Sequence, residues 1–227
     1  MIIGSGLIAS AFSRHADKLA HACLYAAGVS NSSCRVDSEF VRERQRLQTA
    51  ITHAGSRLLI YFSTCSIEDP WSQTSPYIAH KREMEVLVRQ HRRFLIVRLP
   101  QVAGRTPNPH TLLNHLYARI SRSEQFELWT RAKRNIIDVD DVACLVMELL
   151  SEGAAAETIN VANPVNTSTL DIVRAFEHVT RRIAVCHALD LGGEYMIDVA
   201  RIQTAIQRCD IRFDETYLLR TLTKYYG

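Results

Sequence analysis

The sequence has little of what marks fibrous, membrane or metal-stabilised proteins. Its 227 residues include only 9 glycines and 6 prolines, which excludes collagen-like and low-complexity chains. No apolar run approaches the roughly 20 residues that a membrane helix needs. The 6 cysteines lack metal-binding or thioredoxin-type spacing, so we predict no metal site and reduced, mostly buried thiols.

The sequence also lacks a large excess of charge of either sign. The 27 basic and 24 acidic residues leave a net charge of +3, which is too balanced for a typical nucleic-acid-binding protein. Met1 leads directly into Ile2, Ile3 and Gly4, and the sequence here lacks the basic region followed by a longer apolar region that marks a secretory signal. We therefore expect a cytoplasmic protein with no nucleic-acid partner and no membrane partner.

Short apolar segments alternate with stretches of helical spacing along most of the chain. The strand-like segments are Met1–Ile3, Cys23–Ala26, Leu58–Phe62, Phe94–Leu99, Ile136–Val139 and Thr158–Val161. This alternation predicts an α/β, Rossmann-like fold with helices on both faces of a mainly parallel sheet of about five strands. We expect this domain to span residues 1–165, with a substrate-side insertion near 103–133, and a small substrate-binding lobe to span 166–227.

The first predicted strand leads into a glycine turn. The sequence there fits the pattern Gly-x-Gly-x-x-Gly/Ala, between a strand and a helix. Such a turn lets the backbone and the helix N-terminus approach a pyrophosphate, although an ordinary tight turn is the alternative. The predicted cofactor contacts in this turn are Gly4, Ser5, Gly6, Leu7, Ile8 and Ala9.

The carboxylate that usually binds the adenosine ribose is missing after the second strand. Ala26, Ala27 and Gly28 stand there, and we predict that they also contact the cofactor. Because nothing at this position repels a 2′-phosphate, the sequence favours NADPH over NADH as the NAD(P) cofactor. Arg14 or Arg35 would bind that phosphate with its forked guanidinium.

A threonine, a tyrosine and a lysine form a candidate catalytic set. Thr64 ends a buried strand, and a helix would place Tyr77 and Lys81 on one face because they are four residues apart. The ammonium of Lys81 is expected to lower the pKa of Tyr77, so that the phenol exchanges a proton with a carbonyl or an alcohol. For Tyr77 and Lys81 alone, a surface pair is the alternative.

In this order, the glycine turn and the catalytic set resemble the extended short-chain dehydrogenase/reductases, specifically the NAD-dependent epimerase/dehydratase family that modifies nucleotide sugars. Val97–Gly104 and Arg134–Ala143 extend the resemblance. It implies catalytic roles for Thr64, Tyr77 and Lys81. It also implies cofactor contacts by Tyr77, Lys81 and Pro100 and substrate contacts by Cys65, Ser66, Gln101 and Arg134.

The chain departs from this family in two places. Cys65 and Ser66 replace the acidic pair of its dehydratases, so we do not expect a 4,6-dehydratase. The strand Cys23–Ala26 resembles the family's fourth strand, which implies that two strands on the adenosine side are missing. The position of this strand in the sheet stays open, since a place beside the first strand requires an unusual crossover or a moved helix.

These residues favour an NAD(P)-dependent reductase or epimerase of a nucleotide-activated sugar. A reductase is preferred because a shortened adenosine side suits a cofactor that is released. The resemblance also implies surface-glycan synthesis and a homodimer that pairs the helices Ser38–His53 and Tyr77–Gln90. The alternative is a non-catalytic dinucleotide-binding sensor or scaffold of the same fold.

Overall fold

The computed structural model describes residues 1–227 as eleven strands and eight α-helices. The strands are β1 Ile2–Ile3, β2 Ala22–Tyr25, β3 Leu58–Thr64, β4 Phe94–Leu99, β5 Gln101–Ala103, β6 Phe126–Trp129, β7 Lys133–Arg134, β8 Ile136–Asp138, β9 Glu157–Asn160, β10 Thr167–Ser168 and β11 Cys186–Leu189. The helices are α1 Leu7–Ser13, α2 Asp37–Ala54, α3 Pro76–Val88, α4 Leu112–Ser121, α5 Val139–Ser151, α6 Thr169–Thr180, α7 Gln203–Arg208 and α8 Tyr217–Tyr226.

A parallel five-stranded sheet forms the centre of the molecule. Its spatial order is β1-β2-β3-β4-β9, which confirms the predicted Rossmann-like fold class. Strands β2 and β3 are buried along their whole length, as their continuous apolar runs require in a sheet covered on both faces. The predicted strand at Ile136–Val139 corresponds to β8, which lies outside this sheet and pairs with β5.

Helices cover both faces of the sheet. Phe12 of α1 packs with α5 against one face, where Ile60 of β3 points. Leu47 of α2 and Met84 of α3 pack against the opposite face, where Tyr61 of β3 points. Alternate side chains of each strand therefore belong to two separate apolar layers.

The connection from β1 to β2 is the unusual feature of the topology. The chain advances across the sheet in one direction through β1, β2, β3 and β4, but α1 lies on the face opposite to α2 and α3. The first crossover therefore has the opposite hand to the next two, whereas the long connection from β4 to β9 returns through α5 on the same face as α1. The open question about strand 23–26 is thus answered: the strand lies between β1 and β3, through an unusual crossover.

Side-chain caps determine where several helices begin. Ser168 caps α6, because its hydroxyl accepts a hydrogen bond from the backbone N–H of Asp171. Asp138 caps α5 and accepts a hydrogen bond from the N–H of Asp140 at 2.8 Å. This helix follows β8 directly, without a loop.

A second, smaller apolar cluster lies beside the main core. It joins the insertion to the C-terminal part of the chain, through Phe126 of β6, Ile172 and Phe176 of α6 and Leu222 of α8. The division at residues 165 and 166 stays a prediction. None of the helices combines the length and the apolar character that crossing a membrane requires.

Two of the cysteines differ from the sequence expectation of reduced thiols. Cys144 of α5 and Cys209, just after α7, form a disulfide with a Cα–Cα distance of 6.2 Å. The pair forms because α7 packs along α5 and brings together positions that are 65 residues apart in the sequence. The other four cysteines are free, and all of them except Cys186 are buried.

The disulfide predicts a defined thiol count. Protein unfolded without reductant should react with a thiol reagent at the four free cysteines only. Cys144→Ser should lower the free energy of unfolding by about 2–4 kcal/mol, because the unfolded chain gains freedom. Cys186→Ser, at an exposed free cysteine, is the matched control and should leave stability unchanged. Titration of six thiols would contradict the assignment.

Candidate active site

A cavity of about 1090 Å³ lies at the carboxyl ends of β1 to β4, the edge where open α/β sheets bind ligands. It brings together most of the residues selected from the sequence. Those that line it are Gly4, Ser5, Gly6, Leu7, Ile8, Ala26, Ala27, Gly28, Thr64, Ser66, Tyr77, Lys81, Pro100, Gln101 and Arg134.

Two of the predicted cofactor and substrate contacts do not line the cavity, besides the 2′-phosphate candidates Arg14 and Arg35. Ala9 is buried in the first turn of α1. Cys65 was expected to contact substrate, but its side chain is fully buried in the main core. The backbone enters a short 3-10 turn at Cys65 and directs this side chain inward, whereas the next residue, Ser66, reaches the cavity.

The glycine turn has the geometry that a pyrophosphate requires. Gly4 has a φ of +129°, and a Cβ there would lie 2.4 Å from the carbonyl oxygen of Ala26. A Cβ on Gly6 would meet nothing within 4 Å, so the backbone is open to the cavity at this point. The turn therefore fits a diphosphate that approaches the main chain closely.

The predicted catalytic set meets at one end of the cavity. Tyr77 and Lys81 lie on α3 and face the end of β3, where the Thr64 hydroxyl lies near the Tyr77 phenol. The Lys81 ammonium lies 5.8 Å from the centre of the Tyr77 ring. A substrate oxygen placed here would reach two hydroxyl groups at once.

Sequence reasoning missed the residue that organises this end of the cavity, Glu43 of α2. Its side chain is 1% exposed, and its carboxylate accepts hydrogen bonds from four groups. Lys81 Nζ donates at 3.1 Å, Tyr61 Oη at 2.8 Å and the backbone N–H of Val29 at 2.6 Å. His80 Nε2 lies 3.0 Å away and must carry its proton, since an ionised carboxylate only accepts.

These partners hold Glu43 in its charged form. Burial alone would raise its pKa, but the Lys81 charge and the hydrogen bonds from His80, Val29 and Tyr61 outweigh burial and lower the pKa to about 2. Lys81 is 3% exposed and donates a second hydrogen bond to Tyr61 Oη at 3.1 Å. The ammonium is thus fixed in position, with its charge compensated by the carboxylate.

The environment of Tyr77 differs from the sequence expectation. Burial and the nearby Glu43 carboxylate raise its pKa, and they outweigh the opposing effect of the Thr64 hydroxyl. The Lys81 ammonium does not lower this pKa as expected, because the Glu43 carboxylate compensates its charge. Tyr77 is therefore a protonated phenol at neutral pH in this structure.

Gly28 allows the buried ion pair to reach the backbone after β2. A Cβ at this position would lie 2.7 Å from Lys81 Nζ and 2.8 Å from a Glu43 carboxylate oxygen.

Glu43 could have been found from its position, because it shares a helical stripe with Leu47, Ala50 and Ala54, all of which are buried. A carboxylate on such an apolar stripe needs a buried partner.

The cavity is suited to anions. Its lining contains no aspartate or glutamate, and it includes the basic side chains of Arg46, Lys81, Arg105 and Arg134. Neither Arg14 nor Arg35, the expected 2′-phosphate ligands, lines it. Arg14 instead pairs with Asp140 at 2.8 Å, because α1 carries it towards α5 on the other side.

A sequence comparison identifies the family. The model of the NAD dependent epimerase/dehydratase family matches residues 5–162, more than half of the chain. The chain belongs to this family. Membership confirms the resemblance seen in the sequence and the NAD(P) class of cofactor, and the glycine turn of this epimerase/dehydratase-family protein fits that cofactor. No curated protein matches the chain in sequence.

Solved structures of this family share the fold. RMD from Pseudomonas aeruginosa, complexed with NADPH, superposes with a TM-score of 0.69 at 18% identity, covering 91% of this chain and 82% of that one. A UDP-glucuronic acid 4-epimerase variant from Bacillus cereus, with NAD and a fluorinated UDP-sugar, gives 0.70 at 20% identity, with coverages of 92% and 76%. A dTDP-glucose 4,6-dehydratase from Bacillus anthracis, with NAD, gives 0.67 at 14%, with coverages of 98% and 78%.

The buried carboxylate predicts a large effect of its removal on stability. Glu43→Gln should lower the free energy of unfolding by about 3–5 kcal/mol, because it leaves the Lys81 ammonium buried and unpaired. Glu39→Gln is the matched control on the same helix. It breaks an exposed pair with Arg42 and should cost less than about 1 kcal/mol. Urea denaturation measures both, and equal small losses would contradict the buried pair.

The pH dependence of the free energy of unfolding gives a second test of the Glu43→Gln variant. Because the pKa of Glu43 is lowered, its charge stabilises the fold above the ordinary value of 4.5, and this stabilisation is lost as the pH falls towards about 2. The difference between wild type and Glu43→Gln should therefore shrink across that interval.

Proposed function

We propose that this family member is an NAD(P)-dependent oxidoreductase or epimerase of a nucleotide-activated sugar, with reduction as the preferred reaction. The observation that carries the proposal is the meeting of Thr64, Tyr77 and Lys81 in the same cavity as the glycine turn. A dinucleotide on that turn would extend towards the catalytic set. The sensor or scaffold alternative does not explain why these three side chains share the cavity.

The chain's own residues supply binding, orientation and the proton. NAD(P), when bound, supplies or accepts hydride at the sugar carbon. The hydroxyls of Thr64 and Tyr77 would hold the substrate oxygen, and Tyr77 would donate its phenolic proton to that oxygen as negative charge develops on it. Lys81 lies beside the Tyr77 ring, in a place fixed by Glu43.

The open edge of the sheet beside the glycine turn supports reduction as the preferred direction, because it suits a cofactor that is released after each turnover. Tyr77 is a protonated phenol at neutral pH and so has a proton to give. Reduction of a carbonyl consumes that proton, whereas oxidation of an alcohol needs a base in its place. An epimerase needs both directions in one turnover and is the second choice for this site.

The charge of the cavity supports a nucleotide sugar as substrate. Arg105 and Arg134 also line the cavity and offer positive charge to a diphosphate. Ser66 and Gln101 offer hydrogen bonds to sugar hydroxyls. The Bacillus cereus and Bacillus anthracis proteins carry a UDP-sugar and a dTDP-sugar in their names.

The same lining argues against dehydration. Elimination of water needs an acid and a base besides Tyr77. Cys65 is buried, which raises the pKa of its thiol, and Ser66 has no titratable group in the ordinary range. No carboxylate lines the cavity. The proposed reaction is therefore not a 4,6-dehydration.

The proposal includes NADPH as the preferred cofactor and a homodimer as the assembly. No carboxylate follows β2 to repel a 2′-phosphate. For the dimer, Met84 and Val88 are buried against their own sheet and leave no surface for a partner. The exposed apolar side chains on the predicted interface helices are Val41 of α2 and Val86 of α3.

The dimer prediction is tested by sedimentation. The wild type should sediment as a dimer at micromolar concentration, and Val86→Asp should shift it towards monomer, since a buried charge at a two-fold interface is repeated in both subunits. Ile183→Asp, at an exposed site outside α2 and α3, is the control. A wild-type monomer would contradict this assembly.

The catalytic prediction concerns Tyr77. Tyr77→Phe removes the proton donor but keeps the ring, and we expect turnover with NADPH and a panel of nucleotide-activated keto sugars to fall by about 10²–10⁴. Tyr117→Phe, on α4 and outside the cavity, should be unaffected. Unchanged turnover in Tyr77→Phe would refute the role of Tyr77. Cofactor binding by the wild type without turnover of any sugar would favour the sensor alternative.

A further inference from the structure

A second cavity of about 540 Å³ adjoins the first one at the edge of the sheet. It lies between β1 and α2, where β1 has a neighbouring strand on one side only. Gly4, Ala27 and Arg46 line both cavities, so the two form a continuous surface across the glycine turn. A ligand that lies on this turn can extend into either.

The sheet order gives the direction of such a ligand. Thr64 ends β3, Ala27 follows β2 and Gly4 follows β1, so these residues mark a line across the sheet from the catalytic end to its open edge. A dinucleotide with its reactive ring near Tyr77 and its diphosphate at the turn would have its remaining nucleoside beyond Gly4. The second cavity lies at that end of the line.

The lining of the second cavity matches a nucleoside. Ile3, Ala27 and Ala50 offer an apolar surface for a planar base, and Gln45 and Thr49 offer hydrogen-bonding groups at its edge. The lining contains no carboxylate. The site therefore suits an adenosine that also carries a negatively charged phosphate group.

Arg46 is the cation available at this place. The two other arginines in the same stretch of α2 are engaged with acids, Arg42 with Glu39 and Arg44 with Glu83. Arg46 forms neither a salt bridge nor a side-chain hydrogen bond, although it is exposed and lines both cavities. Its forked guanidinium matches the oxygens of a phosphate monoester.

We propose that the groove between β1 and α2 receives the adenosine half of the cofactor and that Arg46 binds its 2′-phosphate, which makes the protein selective for NADP(H). This inference rests on one part of the proposed function, namely that the protein binds a dinucleotide, and it does not depend on the reaction with a sugar. Arg46 lies on α2, whereas the residue that binds the adenosine ribose in dinucleotide folds usually follows the strand next to β1. The open edge of β1 makes this arrangement possible, because no further strand covers the groove.

Calorimetric titration with NADPH and NADH tests the proposal without any sugar substrate. Wild type should bind NADPH more tightly, and Arg46→Ala should weaken NADPH about 10- to 100-fold while leaving NADH unchanged. Arg44→Ala, two residues away on the same helix and paired with Glu83, is the control and should change neither. Equal loss of both cofactors in Arg46→Ala, or no loss of NADPH, would overturn the role of Arg46.

The groove itself is tested by filling it. Thr49→Trp should weaken NADPH and NADH alike, because the indole would occupy the space of the base. Thr52→Trp is the matched control: both hydroxyls bond the carbonyl four residues earlier, but Thr52 lies outside the cavity. Unchanged affinity in Thr49→Trp would overturn the adenosine site. Turnover by Tyr77→Phe reports on the proposed function separately, so that either idea can fail alone.

Discussion

The buried ion pair between Glu43 and Lys81 is the interaction on which the rest of the site depends. It crosses from α2 to α3, reaches β3 through Tyr61 and reaches the segment after β2 through the N–H of Val29. Removing one partner of such a pair leaves a charge in the protein interior, which is far more costly than losing a surface pair. Burial and the same carboxylate both raise the pKa of Tyr77, so one residue contributes to stability and to the chemistry of the site.

The short sheet imposes the second constraint. With β1 at its edge and β2 next to it, the chain reaches β3 without the strands that would extend the adenosine side of a longer family member. The cost is a crossover of unusual hand, and α1 then packs against α5 instead of near the cofactor's nucleoside. The result is an open groove beside α2. Arg46 lines this groove, whereas Arg14 and Arg35, the 2′-phosphate ligands expected from the sequence, do not.

The sequence was sufficient to predict the parts of the fold that depend on local patterns. Apolar runs located all five strands of the main sheet, and the spacing of Tyr77 and Lys81 placed them on one helix face. It did not determine what depends on contacts between distant elements. The order of β1 and β2, the Cys144–Cys209 pair and the charge balance around Tyr77 each need two elements that only the fold brings together. Glu43 is intermediate, since its place on an apolar stripe was visible but its partner Lys81 was not.

The ionisation of Tyr77 tests the central claim most directly, because the Glu43–Lys81 pair is held to keep this phenol protonated. Ultraviolet absorbance at the tyrosinate band, recorded against pH for wild type and Tyr77→Phe, isolates its signal as a difference. We predict no difference from about pH 6 to about pH 10, although an ordinary phenol would already be half ionised at the upper end of this range. A difference that titrates near neutral pH would show that Tyr77 is not held as a proton donor, and would contradict the role assigned to Glu43.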